Sequence, residues 1–114
     1  MEPKKLEQLA IHALDELKAQ DIKSLDVRKL TTITDYMLVC SARSSRHLQS
    51  LASKVVEEAK THGVRPYNYN FEKQTEWALV DLGDVIVHVM TAEARRYYAL
   101  EKLWSETEQP PEKG

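Results

Sequence analysis

Trp77-Ala78-Leu79-Val80-Asp81-Leu82-Gly83-Asp84-Val85-Ile86-Val87-His88-Val89-Met90 sets two runs of strand-forming residues around a Leu-Gly-Asp turn, which is the pattern of a β-hairpin. Successive side chains along a strand point to opposite faces. One face of this hairpin then holds Ala78, Val80, Leu82, Val85, Val87 and Val89; the other holds Trp77, Leu79, Asp81, Asp84, Ile86, His88 and Met90. The turn can close on Leu82-Gly83 or on Gly83-Asp84. Away from the turn these two registers change the pairing and not the face. The first face reads as core. The second mixes a Trp, aliphatics, two acids and a His, which packing alone does not require, so function is sought there first.

On the N-terminal side of the hairpin, Glu72 to Glu76 is a polar loop. Val64 to Phe71 alternates aromatic and amide residues and reads as a short strand, placed near an edge by Pro66. Before it, Leu48, Leu51, Ala52, Val55, Val56 and Ala59 form one stripe of a helix that Ser44 or Ser45 can cap and Gly63 can stop. Tyr36-Met37-Leu38-Val39-Cys40 is continuously apolar, as expected of an interior strand from Asp35 to Ser41. Asp21 to Arg28 reads as a further strand. Leu6, Leu9, Ala10, Ala13, Leu14 and Leu17 give a first helix from Pro3 to about Gln20. On the C-terminal side, Thr91 can cap a last helix from Ala92 to about Trp104, with Arg95 and Arg96 near its start, against the usual dipole preference. The sum is a single α/β domain over residues 1–104, a mixed five-stranded sheet packed by three helices, followed by a loose tail at 105–114. The segments around the second helix are expected to pair in parallel, and the last two strands to form the antiparallel hairpin.

The chain has 114 residues, 42% hydrophobic and 30% charged, which is the composition of a soluble globular domain. No apolar run reaches the length of a membrane span, and Met1 to Lys5 leads straight into an amphipathic pattern, so no export is expected. The single Cys40 has no internal partner, which suits a reducing cytoplasm, and it reads as a small buried hydrophobe. A net charge of -2 argues against a stand-alone nucleic-acid binder. His12, His47, His62 and His88 are scattered over different elements without metal-ligand spacing, and no Gly-rich phosphate loop exists, so neither a metal nor another cofactor is expected. The Ser41–Ser45 turn entering a helix could hold a phosphate, as in nucleotidyltransferases, but Asn68-Tyr69-Asn70 stands where paired carboxylates would be needed. No catalytic residue is assigned.

The chain resembles the ribosomal silencing factor family, also called Iojap-like. The resemblance rests on Asp21-Ile22, Leu25-Asp26-Val27-Arg28, Thr34-Asp35-Tyr36, and Ser41 with Ser44 and Arg46. It continues through Glu76-Trp77, Asp81, Gly83-Asp84-Val85, Val87-His88-Val89, then Arg95, Tyr98, Leu100-Glu101 and Leu103-Trp104. Two loops depart from the family pattern, at Ala42 and at Glu72-Lys73. The resemblance implies a nucleotidyltransferase-like fold without the catalytic carboxylates, and a non-enzymatic regulator of translation; a cytoplasmic location is expected from the single cysteine and the start of the chain. The resemblance also implies binding to the large ribosomal subunit through the basic ribosomal protein L-fourteen and a steric block to joining of the small subunit. Homodimers occur in the family, so the free protein is a candidate homodimer. No DNA, no membrane and little direct RNA contact are expected.

Placed on the residues, Trp77, Leu79 and Ile86 are the apolar anchor for the ribosomal protein, and Asp81 and Asp84 suit its positive charge. Arg95, Tyr98 and Glu101 of the last helix would border that surface. His88 is expected to bond a carboxylate or backbone group and is a candidate for pH tuning. The rival structural reading has a helix of the same chain covering this face. Two other functions compete: nucleotide binding or nucleotidyl transfer at the Ser41–Ser45 turn, and direct RNA binding through Arg43, Arg46, Arg65, Arg95 and Arg96.

Overall fold

The computed structural model describes residues 1–70 and 75–98. In chain order it comprises α1 (Pro3–Glu16), β1 (Gln20–Asp26), β2 (Tyr36–Ala42), α2 (Ser45–Thr61), β3 (Asn68–Asn70), β4 (Trp77–Asp81), β5 (Val85–Thr91) and α3 (Ala92–Tyr98). The five strands form one mixed sheet in the order β1-β2-β5-β4-β3. The expected boundary at Trp104 and the tail at 105–114 lie outside the described residues.

All seven residues of β2 are buried, as its unbroken apolar run requires of a strand inside the sheet. Its neighbours correct one expectation. The strands around α2, β2 and β3, do not pair. They run in the same direction but β5 and β4 lie between them, and the parallel partner of β2 is β5, from Tyr36 opposite Val85 to Ala42 opposite Thr91. β4 and β5 pair antiparallel, with Asp81 opposite Ile86. The turn closes on Gly83-Asp84: Leu82 N–H donates to the Val85 carbonyl at 2.9 Å, and Gly83 takes φ +92°, where a side chain would be strained. The Asp84 carbonyl accepts the N–H groups of Asp35 and Tyr36, both at 3.0 Å, and so ties the hairpin tip to the start of β2.

Helices α1 and α2 cover one face of the sheet. Leu6, Ala10, Ala13 and Leu14 meet Leu48, Leu51, Ala52 and Val55 over Leu38, Cys40, Val80, Val85 and Val87 in the main core. Burial pushes the Cys40 thiol up to about 12, which leaves it inert at neutral pH. Ser44 caps α2 by accepting the His47 N–H at 3.1 Å. The His47 ring accepts the Arg43 N–H on Nδ1 at 3.0 Å and bonds the Leu17 carbonyl through Nε2 at 2.8 Å, which joins the end of α1 to the β2–α2 turn.

α1 is shorter than its periodicity implies. It stops at Glu16 rather than near Gln20 because Lys18 turns into the left-handed region at φ +64°, and the Lys18 and Ala19 N–H groups close back on the Asp15 and Leu14 carbonyls. Gln20 then belongs to β1, whose pairing with β2 carries an irregularity between Gln20 and Lys23. The third strand starts later than expected, at Asn68 rather than near Val64, and the Tyr67 N–H bond to the Asp81 carbonyl leads into its ladder with β4; its expected end at Phe71 lies outside the described residues.

Candidate functional site

Strand alternation divides the hairpin as read from the sequence. Ala78, Val80, Leu82, Val85, Val87 and Val89 all enter the core beneath α1 and α2. The opposite face of the sheet has a smaller core of Val27, Met37, Val39, Met90 and Ala94, with Leu25, Leu30 and Trp77 packed against it. α3 sits over this second core, turning from the end of β5 toward β2 and β1. Thr91 caps it, its hydroxyl accepting the Ala94 N–H at 3.2 Å.

Beyond the edge of that small core the outer face is open in part. Leu79 and Ile86 are half-buried and, among the described residues, belong to neither core. Trp77 stands opposite Met90 and diagonal to His88. Its indole N–H donates to His88 Nδ1 at 2.9 Å, with the ring centroids 5.7 Å apart. His88 is 7% exposed, and burial lowers its pKa from 6.5 to about 4. The expected carboxylate or backbone partner is therefore replaced by an indole, and the imidazole is neutral from mildly acidic pH upward. Trp77 is an anchor of the fold as well as part of the face.

At the tip, Asp81 Oδ1 accepts the Gly83 N–H at 2.8 Å, and Asp84 is exposed. Trp77, Leu79, Ile86 and His88 thus form one patch with the two acids at its turn end. Arg95 does not join it. It is 6% exposed, and its Nη1 donates to the Asp21 carbonyl and, at 3.1 Å, to Ser41 Oγ. The guanidinium pins α3 to the β1–β2 side of the sheet, and Asp21 Oδ2 stands 3.9 Å away. Arg95 is thereby neither solvated nor a border of the hairpin face. The Tyr98 side chain and Glu101 lie outside the described residues.

The arginines proposed for RNA do not form one patch. Arg43, Arg46 and Arg96 are exposed around the start of α2 and α3, Arg95 is internal, and Arg65 lies near the opposite end of α2. The Ser41–Ser45 turn borders a crevice of about 430 Å³ that also touches Glu76, Thr91 and Glu93. Within it Ser44 is occupied as the helix cap. Tyr67 is the feature that the sequence reading passed over: 79% exposed, its ring lies against the turn so that a Cβ on Gly83 would meet it at 3.2 Å. An exposed aromatic in a strand already marked as an edge was the signal for it.

The family model described as ribosomal silencing factor during starvation matches residues 1–113. A ribosomal silencing factor of Chromobacterium violaceum is 41% identical over 104 residues, covering 91% of this chain and 85% of the relative. That of Bacillus subtilis is 36% identical over 106 residues, covering 93% of this chain and 90% of the relative. A crystal structure of a Chromobacterium violaceum protein superposes with a TM-score of 0.90 at 40% identity, covering 97% of this chain and 91% of the other.

Proposed function

The chain belongs to the family of ribosomal silencing factors, and from that premise we propose that it represses translation by binding the large ribosomal subunit and obstructing its union with the small one. The contact is made through ribosomal protein L-fourteen, the protein acts without catalysis in the cytoplasm, and the free form is a homodimer. One observation supports the reading above the others: the outer hairpin face offers half-buried Leu79 and Ile86 that neither core uses, next to the exposed carboxylate of Asp84. An apolar centre with an acidic rim suits a basic protein, whose charge speeds encounter while the apolar contact holds.

Subunit reassociation tests it. Purified large subunits are incubated with the protein, mixed with small subunits and sedimented on a gradient. Whole ribosomes should fail to form, with the protein travelling with the large subunit. Normal assembly, with the protein left at the top of the gradient, would refute the reading.

A further inference from the structure

The segment from Gly63 to Tyr69 leaves the end of α2 and enters β3 at the edge of the sheet. Its rings are among the most exposed large side chains described, Tyr67 at 79% and Tyr69 at 43%. Cavities lie on both sides of this segment. The larger, about 570 Å³, is lined by Lys60, Gly63, Val64, Arg65, Pro66 and Tyr69. The smaller, about 320 Å³, runs past Arg65 and Tyr67 to Leu82 and Asp84. Arg65 therefore borders both. Lys60 Nζ stands 5.8 Å from the Tyr69 ring centroid. Among the described residues neither Lys60 nor Arg65 makes an ion pair. The Tyr67 ring is held against the Gly83 turn, and its N–H donates to the Asp81 carbonyl at 2.8 Å, so the ring is placed in advance of any partner.

We propose that this edge is a docking surface for single-stranded RNA, with bases stacking on Tyr67 and Tyr69 and phosphates meeting Lys60 and Arg65. Exposed rings beside cations that make no ion pair among the described residues are what an unpaired strand offers partners for, since each nucleotide brings a flat π surface and a negative charge. The charge favours RNA over a basic protein segment, which would meet Lys60 and Arg65 as like charges. Among the described residues no acid lines the larger cavity, whereas Asp84 lines the smaller, so the phosphates follow the larger one while Tyr67 takes a base beside the smaller. The chain as a whole carries a charge of -2, and against it Lys60 and Arg65 are the charged residues described in the lining of the larger cavity. The source of the RNA is an unpaired segment of large-subunit ribosomal RNA; for that source alone the proposal rests on the function proposed above. The edge meets the outer hairpin face at the turn, where Asp84 lines the smaller cavity.

The test is fluorescence anisotropy with a labelled oligouridylate of about 12 nucleotides, long enough for one small binding site. The single strand should bind with an affinity that falls as salt rises, and a duplex of the same length should bind much more weakly. Tyr67→Ala and Tyr69→Ala should each weaken binding by about 5- to 100-fold, and Tyr67→Phe should bind like the parent, because stacking needs the ring and not the hydroxyl. Arg65→Gln should reduce the salt dependence by about one counterion. A flat titration overturns the proposal, as does equal binding of duplex. So does full binding by Tyr67→Ala and Arg65→Gln variants that melt like the parent. If the oligonucleotide fails to bind while Tyr67→Ala loses sedimentation with large subunits, the edge docks protein and the RNA assignment is wrong. If RNA binding follows the expected pattern while whole ribosomes still assemble, the RNA surface stands and the silencing function falls.

Discussion

On the inner face of the hairpin Ala78, Val80, Val85, Val87 and Val89 have no exposed surface and Leu82 keeps 4%. On the outer face of the same two strands Trp77, Leu79, Asp81 and Ile86 remain half-buried, and the enclosed polar group, His88, relies on Trp77 for a hydrogen bond. Backbone, turn and register are shared, so these differences come from what each face meets. The inner residues meet α2 and are constrained by volume. The outer ones include a buried imidazole, which packing alone would avoid, and aliphatics that stay half-buried and join neither core among the described residues. On the function proposed above, stability and recognition are written on alternate residues of one strand.

The largest effect should come from the inner face. Val87→Asp puts a carboxylate where Val87 has no contact with water, and the loss should exceed about 4 kcal/mol, enough to abolish a cooperative transition in a denaturant titration. A variant that still unfolds cooperatively near the parent midpoint would show that the inner face can open to water, and the contrast between faces would fail.

The outer face should reveal itself next through pH. His88 titrates near 4 in the fold, lowered by burial, and near 6.5 when unfolded. Between these values the unfolded chain binds the extra proton, so stability is complete above about pH 6.5 and falls as pH drops toward 4, by about 3 kcal/mol in all. Asp26 does not confuse this window. The side-chain hydrogen bond from Arg28 lowers its carboxyl from 3.8 to about 2, so its stabilising contribution is lost only at lower pH. Urea midpoints at pH 7 and pH 5 for the parent and for His88→Gln measure the effect; equal pH slopes would mean that the imidazole is not held neutral. The same depression argues against His88 as a sensor of affinity between mildly acidic and neutral pH.

Local patterns made most of this legible. Alternation gave the two hairpin faces, the apolar run gave the interior position of β2, and Ser44 and Gly63 marked the ends of α2 because caps are short-range chemistry. The order of the sheet was not local: nothing in β2 or β5 says that they lie side by side, since their pairing spans the α2 crossover and the hairpin. The early end of α1 was hidden because Lys18, and not a glycine, takes the left-handed position. Arg95 was misplaced for a similar reason, its partners Asp21 and Ser41 being 74 and 54 residues away. The Trp77–His88 bond was within reach once the turn register was fixed, because Trp77 opposite Met90 makes His88 its diagonal neighbour.

The smallest effect on stability should come with the clearest effect on binding. Ile86→Ser removes a half-buried side chain that packs into neither core, so it should cost about 1 kcal/mol or less, within the range of surface changes. If the outer face anchors the large subunit, the same substitution removes apolar area from the centre of an interface and should weaken co-sedimentation at least about tenfold. The two readouts together decide what a binding assay alone cannot. Lost binding with retained stability makes Ile86 part of a docking surface. Retained binding with retained stability moves the contact elsewhere. Stability lost on the scale of Val87→Asp would mean that the outer face is covered in solution, and then the division between the two faces would be one of degree, with both serving the fold.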